Sequence, residues 1–211
     1  TGAGSGIGRA VALALQADGY DVALAGRRAE ELDKTVNRAA DGGGRMLAVP
    51  SDVTDDDQVA ALFARTKDEF GRLDVLCNNA GVGGGSLSAA AGHVDLPDWT
   101  WVMGVNFWGV VNGHEAFLPH MLEHGDGHII NTASMAGHFP GHSAYSASKW
   151  AVVGITEGLY NSLGAEGSTI GVSCLCPGWI NTAIGQSARN RPEWAAPNSL
   201  DEPDPDAEAR H

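Results

Sequence analysis

Apolar and polar positions along this chain fall into blocks of two kinds. Short, mostly apolar runs at 21–25 (DVALA), 46–49 (MLAV), 73–77 (LDVLC), 128–132 (HIINT) and 170–175 (IGVSCL) have the length and composition of buried strands. Between them lie longer segments whose apolar residues recur three and four apart, at 7–17, 29–40, 55–70, 99–114 and 145–163. In 55–70, for example, Val59, Leu62, Phe63 and Phe70 share one side. Strands that alternate with helices of this length are joined by right-handed crossovers into a parallel sheet, so the pattern predicts an α/β protein of three layers with helices on both faces.

Gly42 to Gly44 ends one helix, and the glycine-, serine- and alanine-rich stretch 83–92 reads as a flexible loop, because the alternation resumes beyond it. No internal repeat and no second domain is visible, so residues 1–211 are expected to form one domain. With 43% apolar and 18% charged residues the chain carries enough material for a sizeable core. No stretch has the length of a membrane span and no signal peptide opens the sequence. The formal charge of −13 argues against nucleic acid and against an anionic membrane surface as partners. Part of it belongs to the solvated tail DEPDPDAEARH.

Cys77, Cys174 and Cys176 each sit in an apolar run, where cysteine behaves as a small hydrophobe, and their odd number fits a reducing cytoplasm. Of eight histidines, His120 and His124 stand at helical spacing and His138 and His142 in a loop, but no acidic or cysteine partner is seen to complete a site, so no metal is expected.

The candidate chemistry centres on SAYSASKW, residues 143–150, where Tyr145 and Lys149 stand four apart and project from one helical face. A cation beside a phenol favours the tyrosinate and makes Tyr145 usable as an acid or base near neutrality. A lone YxxxK is common in ordinary helices, so the weight rests on its company. TGAGSGIG opens the chain with Gly2, Gly6 and Gly8 spaced GxxxGxG; a turn without side chains lets backbone approach a pyrophosphate, whose charge meets the N-terminus of the helix that follows. The apolar strand that should feed this turn is missing, so a first strand upstream of Thr1 is expected and the sequence reads as clipped. NNAG (78–81), NTASMAG with Ser134, MGVNFWG with Asn106 and CPGWINT (176–182) complete the set.

Together, in this order, these motifs resemble the short-chain dehydrogenase/reductase family from Thr1 to about Thr182. The resemblance implies a Rossmann-type, doubly wound sheet and an oxidoreductase that transfers a hydride between a nicotinamide and a carbonyl or secondary alcohol. Its catalytic residues would be Asn106, Ser134, Tyr145 and Lys149, with Tyr145 as general acid and base, Ser134 hydrogen-bonding the substrate oxygen, Lys149 on the ribose hydroxyls, and Asn106 holding a water near the lysine. A polar contact local to its helix is the other reading of Asn106. Relatives often have paired serines where this chain has Ala133-Ser134, and the interval from Ser134 to Tyr145 is short, a departure confined to the loop 137–142. The cofactor set carried over comprises Gly2, Ser5, Gly6, Ile7 and Gly8 at the phosphates, Arg27 and Arg28 at the adenosine ribose, and Asp52 and Val53 at the adenine. Asn79 would steady the central sheet while Ala80 and Gly81 let the ribose pass closely, Tyr145 and Lys149 reach it, and Pro177, Gly178, Ile180 and Thr182 meet the nicotinamide. Asp52 also reads as a helix cap.

NAD-preferring relatives place a carboxylate at the end of the second strand; this chain has Gly26, then Arg27 and Arg28, so NADP(H) is expected to be preferred and NAD(H) possible. Val82, His138, Phe139, His142, Trp179 and Ile184 are candidate substrate walls and suggest a hydrophobic substrate. Residues 183–211 match the family's substrate lid and then the acidic tail. The apolar run 150–155 exceeds the needs of one core, and in relatives this helix pairs with its copy, so a homodimer or homotetramer is expected. A non-catalytic nicotinamide sensor of the same fold is the alternative, disfavoured by the complete catalytic set. A dehydratase or epimerase is disfavoured by the glycine spacing.

Overall fold

The computed structural model describes residues 1–84 and 95–195, so the tail 201–211 and all but the first two residues of the 83–92 loop lie outside the described residues. The elements run α1 (Gly6–Ala17), β1 (Val22–Gly26), α2 (Ala29–Val36), β2 (Met46–Pro50), α3 (Asp56–Phe70), β3 (Val75–Asn78), α4 (Leu96–Met103), α5 (Gly109–His124), β4 (His128–Thr132), α6 (Ala144–Ala165) and β5 (Gly171–Leu175). A π-helical turn, Gly104–Trp108, joins α4 to α5, and short 3₁₀ turns occupy Met135–Gly137, Ala183–Asn190 and Glu193–Ala195.

Every strand pairing is parallel, as the alternation predicts. Successive strand residues point to opposite faces, which is how one strand serves two layers. Leu24 packs with Ala12 and Leu32 against α1 and α2, while its neighbour Ala25 joins Val59, Leu62, Phe117 and Met121 of α3 and α5. Phe63 meets Phe117 edge to face, centroids 5.3 Å apart, and so locks α3 to α5.

The sheet is in two pieces, β1-β2 and β3-β4-β5. An apolar cavity of about 620 Å³, lined by Val11, Leu15, Val22, Leu24, Val75 and Leu76 among others, lies beside β1 and β3. Residues 1–3 connect the two pieces: the Thr1 amine donates to the Cys77 carbonyl at 2.7 Å and the Ala3 amide to Ala25 at 3.1 Å.

Helix boundaries depart from expectation in two places. The segment expected as a helix over 29–40 stops at Val36, since Asn37 closes it and the chain turns through Gly42 to Gly44. The segment expected over 99–114 begins at Leu96 and continues to His124, because Pro119 stands on an exposed face and the positive-φ Gly125 provides the stop.

Candidate active site

The site forms at the carboxyl ends of the strands, where open α/β sheets bind ligands. Thr1 stitches the opening turn to NNAG: its hydroxyl oxygen accepts from the Asn79 and Ala80 amides, both at 2.9 Å, and its carbonyl accepts from the Asn79 side chain at 3.0 Å. Asn79 thus holds the glycine turn against the sheet. A Cβ on Gly8 would stand 2.4 Å from the Gly2 carbonyl oxygen and 2.6 Å from Asn79 Nδ2, so the turn closes only without side chains there. Ser5, the N-cap of α1, makes no side-chain cap and so leaves the amides of the first turn uncapped by its hydroxyl. Close to this turn lies Thr182, whose Cγ2 is 3.3 Å from where a Cβ of the positive-φ Gly6 would be. These features, a helix N-terminus beside a gap that a single methyl would narrow, fit a dinucleotide pyrophosphate. Arg9, absent from the sequence reading, braces the turn through the Gly4 carbonyl, Glu31 Oε2 at 2.9 Å and Thr35 Oγ1 at 2.9 Å. Only its place one turn into α1, facing the charged start of α2, signals this.

Beside the end of β1 a cavity of about 230 Å³ is lined by Arg27, Asp52, Thr54, Trp101, Val105 and Trp194 among others. Trp101 and Trp194 escaped the sequence reading because nothing in periodicity distinguishes an indole that lines a pocket from one that fills a core. Asp52 does not cap α3; its carboxylate accepts from Thr54 N and Oγ1 at 3.0 and 2.9 Å and shapes the turn, and Asp55 supplies the cap to Gln58 N at 3.0 Å. Val53 is buried, and its carbonyl accepts from Asn112 at 2.9 Å. Arg27 is exposed, 3.8 Å from Asp52 Oδ2, and donates to the Asn190 carbonyl at 2.9 Å. Arg28 is the N-cap residue of α2.

At the other end of the site α6 starts on a Ser143 cap that accepts from Ser146 N at 3.1 Å, setting Tyr145 and Lys149 on one face. Lys149 is 3% exposed; its ammonium donates to the Thr132 carbonyl at 2.9 Å and lies 5.7 Å from the centre of the Tyr145 ring. Burial lowers the Lys149 pKa from 10.5 to about 8, against the opposing influence of Cys174 and Cys176. Gly81 borders this ammonium, whose Nζ is 3.5 Å from the Cβ position of that glycine. Asn106, on the π-helical turn, accepts from Val82 N at 2.8 Å and donates to Val82 O and Ser148 Oγ, both at 3.0 Å. The widened turn aims it at Val82, in the extended segment that follows NNAG. Ser134 follows β4; its hydroxyl accepts from Ala136 N at 3.1 Å and is 3.5 Å from the Pro177 carbonyl.

The short loop 137–142 closes because glycine lets it touch α6: a Cβ on Gly137 would stand 2.7 Å from the Lys149 carbonyl. Among the expected substrate walls Val82 is buried, whereas Phe139, Trp179 and Ile184 are exposed, Trp179 fully. His142 is exposed and His138 is 3.4 Å from Cys176 Sγ. A Cβ on Gly178 would stand 3.1 Å from Met135 Sδ, and Ile180 is exposed. The segment after Thr182 folds over this side: Ser187 accepts from Gly83 N at 2.9 Å, and the buried Arg191 guanidinium pairs with Asp98 and Asp95 and lies 5.0 Å from the Trp101 ring centre.

Residues 1–193 match the model of the short chain dehydrogenase family. The chain is 39% identical over 196 residues to the 2-(R)-hydroxypropyl-CoM dehydrogenase of Xanthobacter autotrophicus, a match covering 92% of this chain and 78% of that protein. Among solved structures it resembles a short chain dehydrogenase/reductase of Burkholderia phymatum in complex with NAD, with TM-score 0.87, 39% identity, and coverage of 99% of this chain and 74% of the other. It also resembles levodione reductase, with TM-score 0.79, 32% identity, and coverage of 92% and 78%. The glycine turn, the Tyr145-Lys149 pair and these likenesses agree, and the chain belongs to the short-chain dehydrogenase/reductase family of nicotinamide-binding oxidoreductases.

Proposed function

We propose that this protein is an NADP(H)-dependent oxidoreductase acting on a hydrophobic carbonyl compound or secondary alcohol, with Tyr145 as its general acid and base. The observation that carries the reading is Lys149, an ammonium buried against the Tyr145 ring in the cleft beside the glycine turn. The bound dinucleotide supplies or accepts the hydride. In the reduction direction Tyr145 gives its phenolic proton to the substrate oxygen, and Ser134, oriented by the Ala136 amide, donates a hydrogen bond to that oxygen as charge develops. Lys149 holds the ribose hydroxyls and its charge stabilises the phenolate left behind. Asn106 acts as a positioning residue, fixing Val82 and the helical turn behind Lys149.

The preference for NADP(H) over NAD(H) rests on Gly26, which leaves room for a 2′-phosphate, and Arg27, whose weak pairing with Asp52 a phosphate would displace. A homodimer or homotetramer built on α6 rests on the exposed Trp150 and Tyr160 rather than on the whole apolar run, since Val152 and Val153 belong to the core with Val110 and Ala133. Among the described residues no helix is long and apolar enough to cross a membrane. A panel of ketones, aldehydes and secondary alcohols, followed by nicotinamide absorbance with each cofactor, tests the proposal. Turnover of at least one hydrophobic member is expected; cofactor binding without turnover of any member would favour a nicotinamide sensor.

A further inference from the structure

The last turn of α5 reads His120-Met-Leu-Glu123-His124, H-x-x-E-H, and lies just before β4, at the end of the sheet away from the dinucleotide cleft. The sequence reading found no acidic partner for the two histidines; the fold supplies Glu123. One ligand atom from each of His120, Glu123 and His124 lies within 4.8 Å of the others. Glu123 and His124 are exposed, so small rotamer changes bring the three to the separation of about 3.3 Å that a tetrahedral ion with bonds near 2.0–2.1 Å requires.

A second, independent observation concerns His120. It is 5% exposed, packed against the Phe63 ring at 5.4 Å and the His124 ring at 4.1 Å, and neither of its ring nitrogens has a hydrogen-bond partner among the described residues. An imidazole that leaves both nitrogens orphaned in a dry site is costly, and a ligand on one of them removes part of that cost. His124 is oriented as ligating histidines are: its Nδ1 is 2.8 Å from the His120 carbonyl oxygen, which fixes the Nδ1–H tautomer and leaves the Nε2 lone pair outward. The open carbonyls at the helix C-terminus add a favourable field for a cation.

We propose that His120, Glu123 and His124 form a site for a divalent transition metal of the zinc class on the last turn of α5, with its fourth position open to water. Two imidazoles and one carboxylate suit zinc, and the same donors would take nickel or copper.

The test is titration of metal-stripped protein with zinc sulfate against a chromophoric zinc indicator, together with thermal melts. One equivalent of zinc per chain is expected, with the melting temperature raised by roughly 5–10 °C at a hundredfold excess over Kd. His124→Ala and Glu123→Gln, both at exposed positions, should each weaken binding at least tenfold, while His138→Ala leaves it unchanged. Failure of wild type to take up zinc, equal uptake and equal melting shift in the His124 and Glu123 variants, or loss in His138→Ala instead would each overturn the assignment. These readouts do not depend on turnover.

Discussion

The two ends of the cleft are built on opposite principles. At the Tyr145 end every group behind the reacting atoms is buried and fixed: Lys149 on Thr132, Asn106 on both main-chain groups of Val82 and on Ser148. At the Arg27 end the guanidinium is exposed and rests on a 3.8 Å contact with Asp52 and a carbonyl of the covering segment. A preorganised end stabilises charge as it develops, because no reorganisation is needed at that moment. A loosely held cation does the opposite job: it waits for a charged group to order it, and discriminates between partners that carry that group and partners that do not.

The sharpest way to break this comparison is Tyr145→Phe, which keeps the ring against Lys149 and removes the transferable proton. Turnover should fall roughly 10²- to 10⁴-fold with dinucleotide binding retained. Wild-type kcat on a substrate whose chemical step is rate-limiting would remove Tyr145 from the mechanism. Asn106→Ala probes the fixed shell itself. It leaves the Val82 amide and carbonyl unpaired in a buried place, at about 1–3 kcal/mol each, and calorimetry should record a Tm lower by several degrees with kcat reduced alongside. A variant as stable and as active as wild type would show that the shell is not what holds the site.

At the loose end, kcat/KM should favour NADPH over NADH by about tenfold to a hundredfold, the worth of one charge-assisted contact of roughly 1.5–3 kcal/mol. The double variant Gly26→Asp/Arg27→Ala should reverse that order. A wild type that prefers NADH, or a double variant that does not move toward it, would mean that Arg27 is an ordinary solvated charge. The smallest effect is the one that sets the fixed end apart most cleanly. Lys149 titrates at about 8 in the folded protein and at the ordinary 10.5 when unfolded. Below about pH 8 both states hold the proton and the fold bears the whole cost of burying it; between about 8 and 10.5 the unfolded chain holds more protons, so stability rises with pH. Lys149→Met abolishes that rise. Between pH 7.5 and 9.5, without dinucleotide, wild type should gain on the variant by at most about 1.4 kcal/mol, or roughly 3–5 °C, per pH unit. Parallel melting profiles would place the titration elsewhere.

Much of the fixed end is legible in the sequence, and little of the loose end is. HIINT is observed as a strand over the expected residues, and Tyr145 and Lys149 share a face because their spacing is local to one helix. The partners of Asn106 are not local: Val82 is 24 residues away and Ser148 is 42, and only tertiary structure brings them together. The same holds for Arg191, which closes on Asp98 across 93 residues. Apolar excess in α6 misleads for a related reason, since composition counts Val152 and Val153 without showing that Val110 and Ala133 already cover them.

The place of β4 has a consequence for how the molecule breathes. It is hydrogen-bonded on both sides, to β3 and to β5, and Ile129 and Asn131 within it are fully buried. Its amide protons are released only when a neighbouring strand opens with it, and should be among the slowest of the described residues to exchange with solvent deuterium. The clock of the protein runs slowest in the strand that delivers Ser134.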